Sequence, residues 1–270
     1  MLPAPSVDWF DELDLRPDAH PVAMGTRALG ARPWLVGDSQ RDAYLATKAD
    51  LLTNARNQVL HVTEHGADAA EILAGLVGAA SGNEPAIERA ARVVQEDLCL
   101  LQRRDDGWYL DTSCVCFPTR WHLPQKVGHH IAAVHGPVDG YDPRITGKVD
   151  RLFDQIGERP VWRRNWFLMT DPTLYQPDRP AVETIVDRAK IHTDMFIRSE
   201  RQTLRQVTSG WVVFTIRIQQ HRLGDLLTTE ARADSFARWV DRVPPELGER
   251  RHLTGTQRRE LLAGLMPSFS

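Results

Sequence analysis

Cysteine is scarce. Cys99, Cys114 and Cys116 are the only three in 270 residues, an odd number confined to one stretch. That excludes a disulfide framework in a chain of this length and fits a reducing cytosol. It also excludes a cluster held by four thiolates of this chain. An excess of charge of one sign is missing as well: 33 Lys and Arg stand against 36 Asp and Glu, a formal net charge of −3. Without a positive field there is nothing to attract a phosphate backbone, so nucleic acid is not expected as a partner. No apolar run approaches the roughly 18 residues that cross a bilayer. The opening MLPAPSVDWFDELDL is acidic and punctuated by proline rather than basic and then apolar. The expectation is a cytoplasmic protein with no membrane partner.

Several common chemistries lack their motifs. There is no G-x-x-x-x-G-K-[ST] and no G-x-G-x-x-G; Gly25, Gly30 and Gly37 are scattered among prolines, which disfavours a kinase or a Rossmann dehydrogenase. Neither Ser209-Gly210 nor Gly37-Asp38-Ser39 supplies the G-x-S-x-G elbow of a serine hydrolase. His61 and His65 fall at i and i+4 on an expected helix, but H-V-T-E-H displaces the glutamate of a zinc protease helix, and solvent-facing histidines account for it better. Cys114 and Cys116 share one face of an expected strand, and no second cysteine pair completes a metal site, so they read as small buried hydrophobes.

What the chain does have is ordinary globular composition, 42% hydrophobic and 26% charged, enough for a proper core. Residues 1–39 carry Pro3, Pro5, Pro17, Pro21 and Pro33 without sustained periodicity, and read as an arm that lies on the surface through Trp9, Phe10, Leu29 and Trp34. Residues 40–93 read as helical. Asp38 or Ser39 can cap the first helix, a second covers 67–77, and Pro85 starts a third after the turn Ser81-Gly82-Asn83. Residues 94–220 change character. Runs at 98–102 and 108–117 flank Arg104-Asp105-Asp106-Gly107 and predict an antiparallel pair. Strands are expected at 161–169, 194–198 and 211–219, with short helices at 124–134 and 145–156. Helices at 223–243 and 256–265 complete a C-terminal segment of 221–270, with Pro244-Pro245 between them. Helices followed by a mostly antiparallel sheet make an α+β fold, one domain over 40–270.

Two stretches carry chemistry. His122, His129, His130 and His135 crowd together with Lys126. His135 trails an apolar stripe of Val127, Ile131 and Val134, and Gly136-Pro137 would hold it at a helix end, where an imidazole can serve as axial ligand to a haem iron or simply cap the helix. The second stretch is Arg198-Ser199-Glu200-Arg201-Gln202-Thr203-Leu204-Arg205, placed between two expected strands. Its arginines can clamp carboxylates such as haem propionates, and Glu200 can hold an amine or relay protons; a solvated charged turn fits equally.

Read in order, Val94-Gln95-Glu96-Asp97-Leu98-Cys99-Leu100, Val115-Cys116-Phe117-Pro118-Thr119-Arg120-Trp121, Lys126-Val127-Gly128, Val134-His135-Gly136-Pro137-Val138, Arg164-Asn165-Trp166 and Arg198 to Leu204 resemble the haem-dependent oxidative N-demethylase family. The resemblance implies a PAS-like antiparallel sheet binding haem b, with helices packed around it. It makes His135 the axial-ligand candidate, Glu200 a pocket carboxylate, and Arg198, Arg201 and Gln202 haem or substrate contacts, with Lys126 and Trp166 as weaker additions. It implies a haem-dependent oxidoreductase of monooxygenase or oxidative demethylase type that uses O2 on a small amine or amino-acid substrate. The outcome is removal of an N-methyl group or oxygenation of nitrogen, as of a lysine side chain to a nitro or hydroxylamine product. Electrons would come from outside, from NADPH through a flavin or iron–sulfur reductase partner. A non-catalytic haem or gas sensor, or an interaction module, is the competing reading, against which stands the lack of a fused output domain. The chain departs from the family pattern at Arg205-Gln206-Val207-Thr208-Ser209-Gly210, which lacks a proline, at Asp139, and at the pair His129-His130. These positions border the expected pocket and leave room for a substrate other than a simple methylamine.

Overall fold

The computed structural model describes residues 9–16, 25–134, 143–157 and 159–265. Its strands are β1 (Arg27–Ala28), β2 (Leu60–His61), β3 (Asp97–Arg104), β4 (Gly107–Cys114), β5 (Val161–Met169), β6 (Phe196–Thr208) and β7 (Trp211–Arg222). They form one antiparallel seven-stranded sheet in the order β1-β5-β6-β7-β3-β4-β2. The helices are α1 (Arg41–Asn54), α2 (Arg56–Val59), α3 (Ala67–Leu76), α4 (Ala86–Ala91), α5 (Ile131–Val134), α6 (Pro143–Ile156), α7 (Ile191–Asp194), α8 (Leu223–Leu226), α9 (Glu230–Arg242), α10 (Pro245–Arg250) and α11 (Gly255–Leu265). The α+β class stands. Among the described residues no helix is long and apolar enough to cross a membrane.

Both hairpins follow from their turns. The β3–β4 connection closes on Arg104 paired with Gly107, and the β6–β7 connection turns through Ser209 and Gly210, where φ of 72° favours glycine. Register then assigns the faces. Arg198, Glu200, Gln202 and Leu204 of β6 lie beside Phe167, Asn165, Arg163 and Val161 of β5, on what we call the front face. Ser199, Arg201 and Thr203 lie beside Trp166, Arg164 and Trp162, on the back face.

Each face has its own cover. On the back, α1, α3 and α4 pack Tyr44, Leu52, Leu73 and Ile87 against Leu98, Leu100 and Val213. Toward the other end Trp9, Phe10, Phe236, Trp239 and Leu261 enclose Trp166. On the front, Leu101, Trp108, Leu204 and Val212 meet Ile131, Phe153 and Ile156 of α5 and α6. Beside them Cys99 and Leu110 meet Val115 and Leu123, with Phe214, Val127 and Val134 against them.

The structure corrects several expectations. Residues 199–205 are no connection between strands; they form the middle of the 13-residue β6, and Asp194 belongs to α7. His61 sits in the two-residue β2 and His65 precedes α3, so they share no helix, because the helical run ends at Val59. Neither Asp38 nor Ser39 caps α1, whose N-cap is Gln40. The 223–243 helix is two, separated where Thr229 accepts the Arg232 N–H and caps α9. The 124–134 helix is a 3-10 turn at Leu123–Gln125 and the short α5, parted by a turn in which Gly128 has φ of 78°. The arm buries Trp9, Phe10 and Leu29 as expected, yet it also forms a 3-10 turn at Trp9–Glu12 and the edge strand β1.

Candidate functional site

At the centre of the front face a carboxylate is buried among neutral donors. Glu200 is 7% exposed. The Thr119 hydroxyl donates to Glu200 Oε1 at 2.6 Å, and Gln202 Nε2 donates to Oε2 at 2.7 Å. Behind each donor stands an arginine. Arg198 Nε donates to Thr119 Oγ1 at 3.0 Å, and Arg163 Nε donates to Gln202 Oε1 at 2.6 Å. Burial pushes both guanidinium groups below their usual range, with the Glu200 charge opposing it.

Thr119 reaches Glu200 because the segment that carries it is tied down from two sides. Asp97 accepts the N–H groups of Cys116 and Phe117 at 2.9 and 2.8 Å. Burial pushes the Asp97 carboxyl up to about 6, opposed by Lys48 at 4.0 Å and by those N–H donors. Arg198, fully buried, takes the carbonyls: its Nη atoms donate to Phe117 and Leu174 at 2.9 Å, and to Pro118 and Thr173 at longer range. Buried backbone groups need such partners, and here one carboxylate and one guanidinium provide them. Arg120 then turns through φ of 60°, donates its N–H to Gln176 at 2.7 Å and pairs with Glu183 at 2.9 Å.

A second polar group lies along β5. Arg251 donates to Asn165 Oδ1 and to the Trp166 carbonyl, and burial with the neighbouring Arg163 pushes it down to about 10. His252 stacks on Phe167 at 4.9 Å; burial, then Arg120 and Arg179, push it down to about 3.

The residues singled out from sequence do not all meet. Glu200, Gln202 and Arg198 share the front face, but the donors of Arg198 are engaged with carbonyls, Thr119 and Gln220. Arg201 points to the back, donating to the carbonyls of Pro33 and Trp34 at 2.6 and 2.9 Å. Trp166 is fully buried there too, 4.6 Å from Trp239, with its Nε1 unpartnered. Lys126 is half-buried, next to Val127 of the front apolar cluster. His135 lies outside the described residues, as do the Gly136-Pro137 break and Asp139. Of its neighbours, His122 contacts Asp178 at 2.9 Å, His130 lies 3.5 Å from Asp150 and edge-on to Tyr109, and His129 is exposed. Among the described residues no three His, Cys, Asp or Glu cluster to hold a metal ion. Two members of the Glu200 network, Thr119 and Arg163, were not singled out. Their only signal was adjacency, Thr119 within F-P-T-R-W and Arg163 just before Arg164-Asn165-Trp166.

Residues 76–259 match the family described as haem-dependent oxidative N-demethylase, alpha subunit-like. The chain belongs to this family. No curated protein matches it. As the description of the haem-dependent oxidative N-demethylase, alpha subunit-like family states, its reference is an oxidative enzyme that depends on haem. The matched stretch runs from the end of α3 into α11, so it holds β3 to β7 and the whole Glu200 network. Outside it lie Glu12, Pro33, Trp34 and Asp38, the arm residues that receive Arg164, Arg201 and Arg217 on the back face.

Proposed function

We propose that this protein binds haem b against the front face of a PAS-like sheet and oxidises an amine held by Glu200, by N-demethylation or by oxygenation at nitrogen. On this reading residues 40–270 act as one haem-binding domain and 1–39 as its arm. The observation that carries it is Glu200 itself, a buried carboxylate that among the described residues has neutral donors on both oxygens and no cation on either.

The residues present fit a haem. Its flat body calls for apolar walls, its propionates for cations, its iron for a nitrogen donor. Cys99, Leu110, Val115, Leu123 and Phe214 supply apolar side chains on the same face, the first four of them packed and buried. Lys126 and Arg163 would be cations for the propionates, and His135, in the segment after α5, would hold the iron. Arg198 and Arg201 are left out, the first because carbonyls occupy it, the second because it faces away. When bound, haem supplies the activation of O2.

The chain does the rest. Each Glu200 oxygen already accepts one neutral hydrogen bond and keeps acceptor capacity for a substrate N–H. A buried ammonium is tolerated only when paired, so Glu200 both selects a cationic amine and fixes its nitrogen. The reducing equivalents come from an external donor such as NADPH through a flavin or iron–sulfur reductase.

The experiment is an absorption spectrum of protein expressed with haem precursor, before and after reduction and CO addition. The expected result is a Soret band that moves with CO and is lost in His135→Ala, followed by formaldehyde or a nitro or hydroxylamine product in an amine screen. A folded protein that stays colourless on haem reconstitution overturns the reading.

A further inference from the structure

We infer that Thr119 and Gln202 are positioning residues for Glu200, each locked as a donor by its own arginine, Arg198 and Arg163. This rests on the reading of Glu200 as the amine-holding carboxylate.

Hydrogen-bond polarity carries the inference. A threonine hydroxyl can give or take, and a glutamine amide can face either way. An arginine can only donate. Because Arg198 Nε donates to Thr119 Oγ1, the Thr119 proton is directed to Glu200 Oε1. Because Arg163 Nε donates to Gln202 Oε1, the amide nitrogen must face Glu200 Oε2. The two arms come from different elements, the segment after β4 and the paired strands β5 and β6, and end on different oxygens. Together they fix the plane of the carboxyl group. Two arginines thus govern Glu200 from one residue away, and no guanidinium occupies it. A direct arginine contact would satisfy the carboxylate with a cation; relayed through neutral groups, the orientation is kept and the position of the cation is left to the substrate.

The test uses Thr119→Val, Thr119→Ser, Gln202→Met and Glu200→Gln. The carboxylate stretch of Glu200, assigned by difference against Glu200→Gln, is read by infrared spectroscopy without haem or amine, and dimethylamine binding to the haem-loaded protein is read by calorimetry. Thr119→Val and Gln202→Met are expected to move the band and to weaken dimethylamine about tenfold, the worth of one hydrogen bond to a charged group. Thr119→Ser keeps the hydroxyl and restores both. A band that stays in place in Thr119→Val and Gln202→Met overturns the inference, and so does a moved band with unchanged affinity when Glu200→Gln has lost binding. A moved band with Glu200→Gln binding amine as tightly as the native protein leaves the positioning intact and overturns the functional reading instead. If Thr119→Val does not fold, Gln202→Met decides from the other oxygen.

Discussion

His252 holds a left-handed backbone, φ 61°, with its ring against Phe167 and its Nδ1 3.2 Å from the Met169 sulfur. Burial, then the charges of Arg120 and Arg179, keep it neutral down to about pH 3, whereas an unfolded chain protonates it near 6.5. Between those values the unfolded state binds more protons, so this residue makes stability fall as pH drops through 6.5 toward 3. Asparagine tolerates the left-handed conformation and does not titrate. The expected result is that His252→Asn trails the native protein in urea midpoint by more at pH 7 than at pH 5. A gap that is the same at both values would show that the ring is not held neutral. Asp97 has the opposite sign. Its folded carboxyl lies at about 6 against 3.8 unfolded, so the native state binds more protons across that window and stability declines as pH rises through it. Carbon-detected NMR should find one aspartate carboxyl that titrates near pH 6, and its absence in Asp97→Asn identifies it.

β6 shows what sequence could and could not reveal of the elements and the site. The β3–β4 hairpin and β5 were legible because short runs rich in strand-forming residues, Leu, Val, Tyr and Trp, stand beside a turn or a break. β6 carries Arg198, Glu200, Arg201 and Arg205, a pattern that suits a solvated turn as well as a strand. It is a buried strand because its partners come from far along the chain: the carbonyls of Phe117 and Leu174 for Arg198, those of Pro33 and Trp34 for Arg201. A sequence displays donors and conceals which acceptors will meet them. The same concealment separated Arg201 from Glu200, since faces can be assigned only once a stretch is known to be a strand. The arm offers the matching test. Glu12, in the turn at Trp9–Glu12, accepts Arg164 Nε and Nη2 at 3.0 and 2.6 Å, and the Arg164 side chain is 2% exposed. Burial, opposed by Glu12, pushes Arg164 down to about 10. Breaking a buried pair from one side leaves a charge without its partner, so Glu12→Ala is expected to cost about 3 kcal/mol in urea unfolding. A loss below about 1 kcal/mol, the range of exposed pairs, would show that solvent takes over from Glu12.

Taken whole, the molecule is a partition. One sheet separates an arginine-strapped back, where Arg164, Arg201 and Arg217 tie the arm down, from a front that carries both an apolar cluster and a buried carboxylate. The pleat makes neighbours in sequence serve opposite sides, and Arg201 and Gln202 are the sharpest pair for testing this. Arg201→Met removes two charged hydrogen bonds to the Pro33 and Trp34 carbonyls, for a cost of about 2 kcal/mol in stability. Its side chain has no part in the front face, so haem-loaded Arg201→Met should keep the native Soret position and the native shift on CO binding. Gln202→Met changes no strap to the arm and takes a donor from Glu200. It leaves Glu200 Oε2 and Arg163 Nε without their buried partner, so it too is expected to cost about 2 kcal/mol in stability, but unlike Arg201→Met its dimethylamine-bound spectrum should depart from the native one. A folded Arg201→Met with a displaced Soret band would mean that haem lies against the back of the sheet. The division of labour between the two faces, and with it the place of Glu200 in the chemistry, would then be wrong.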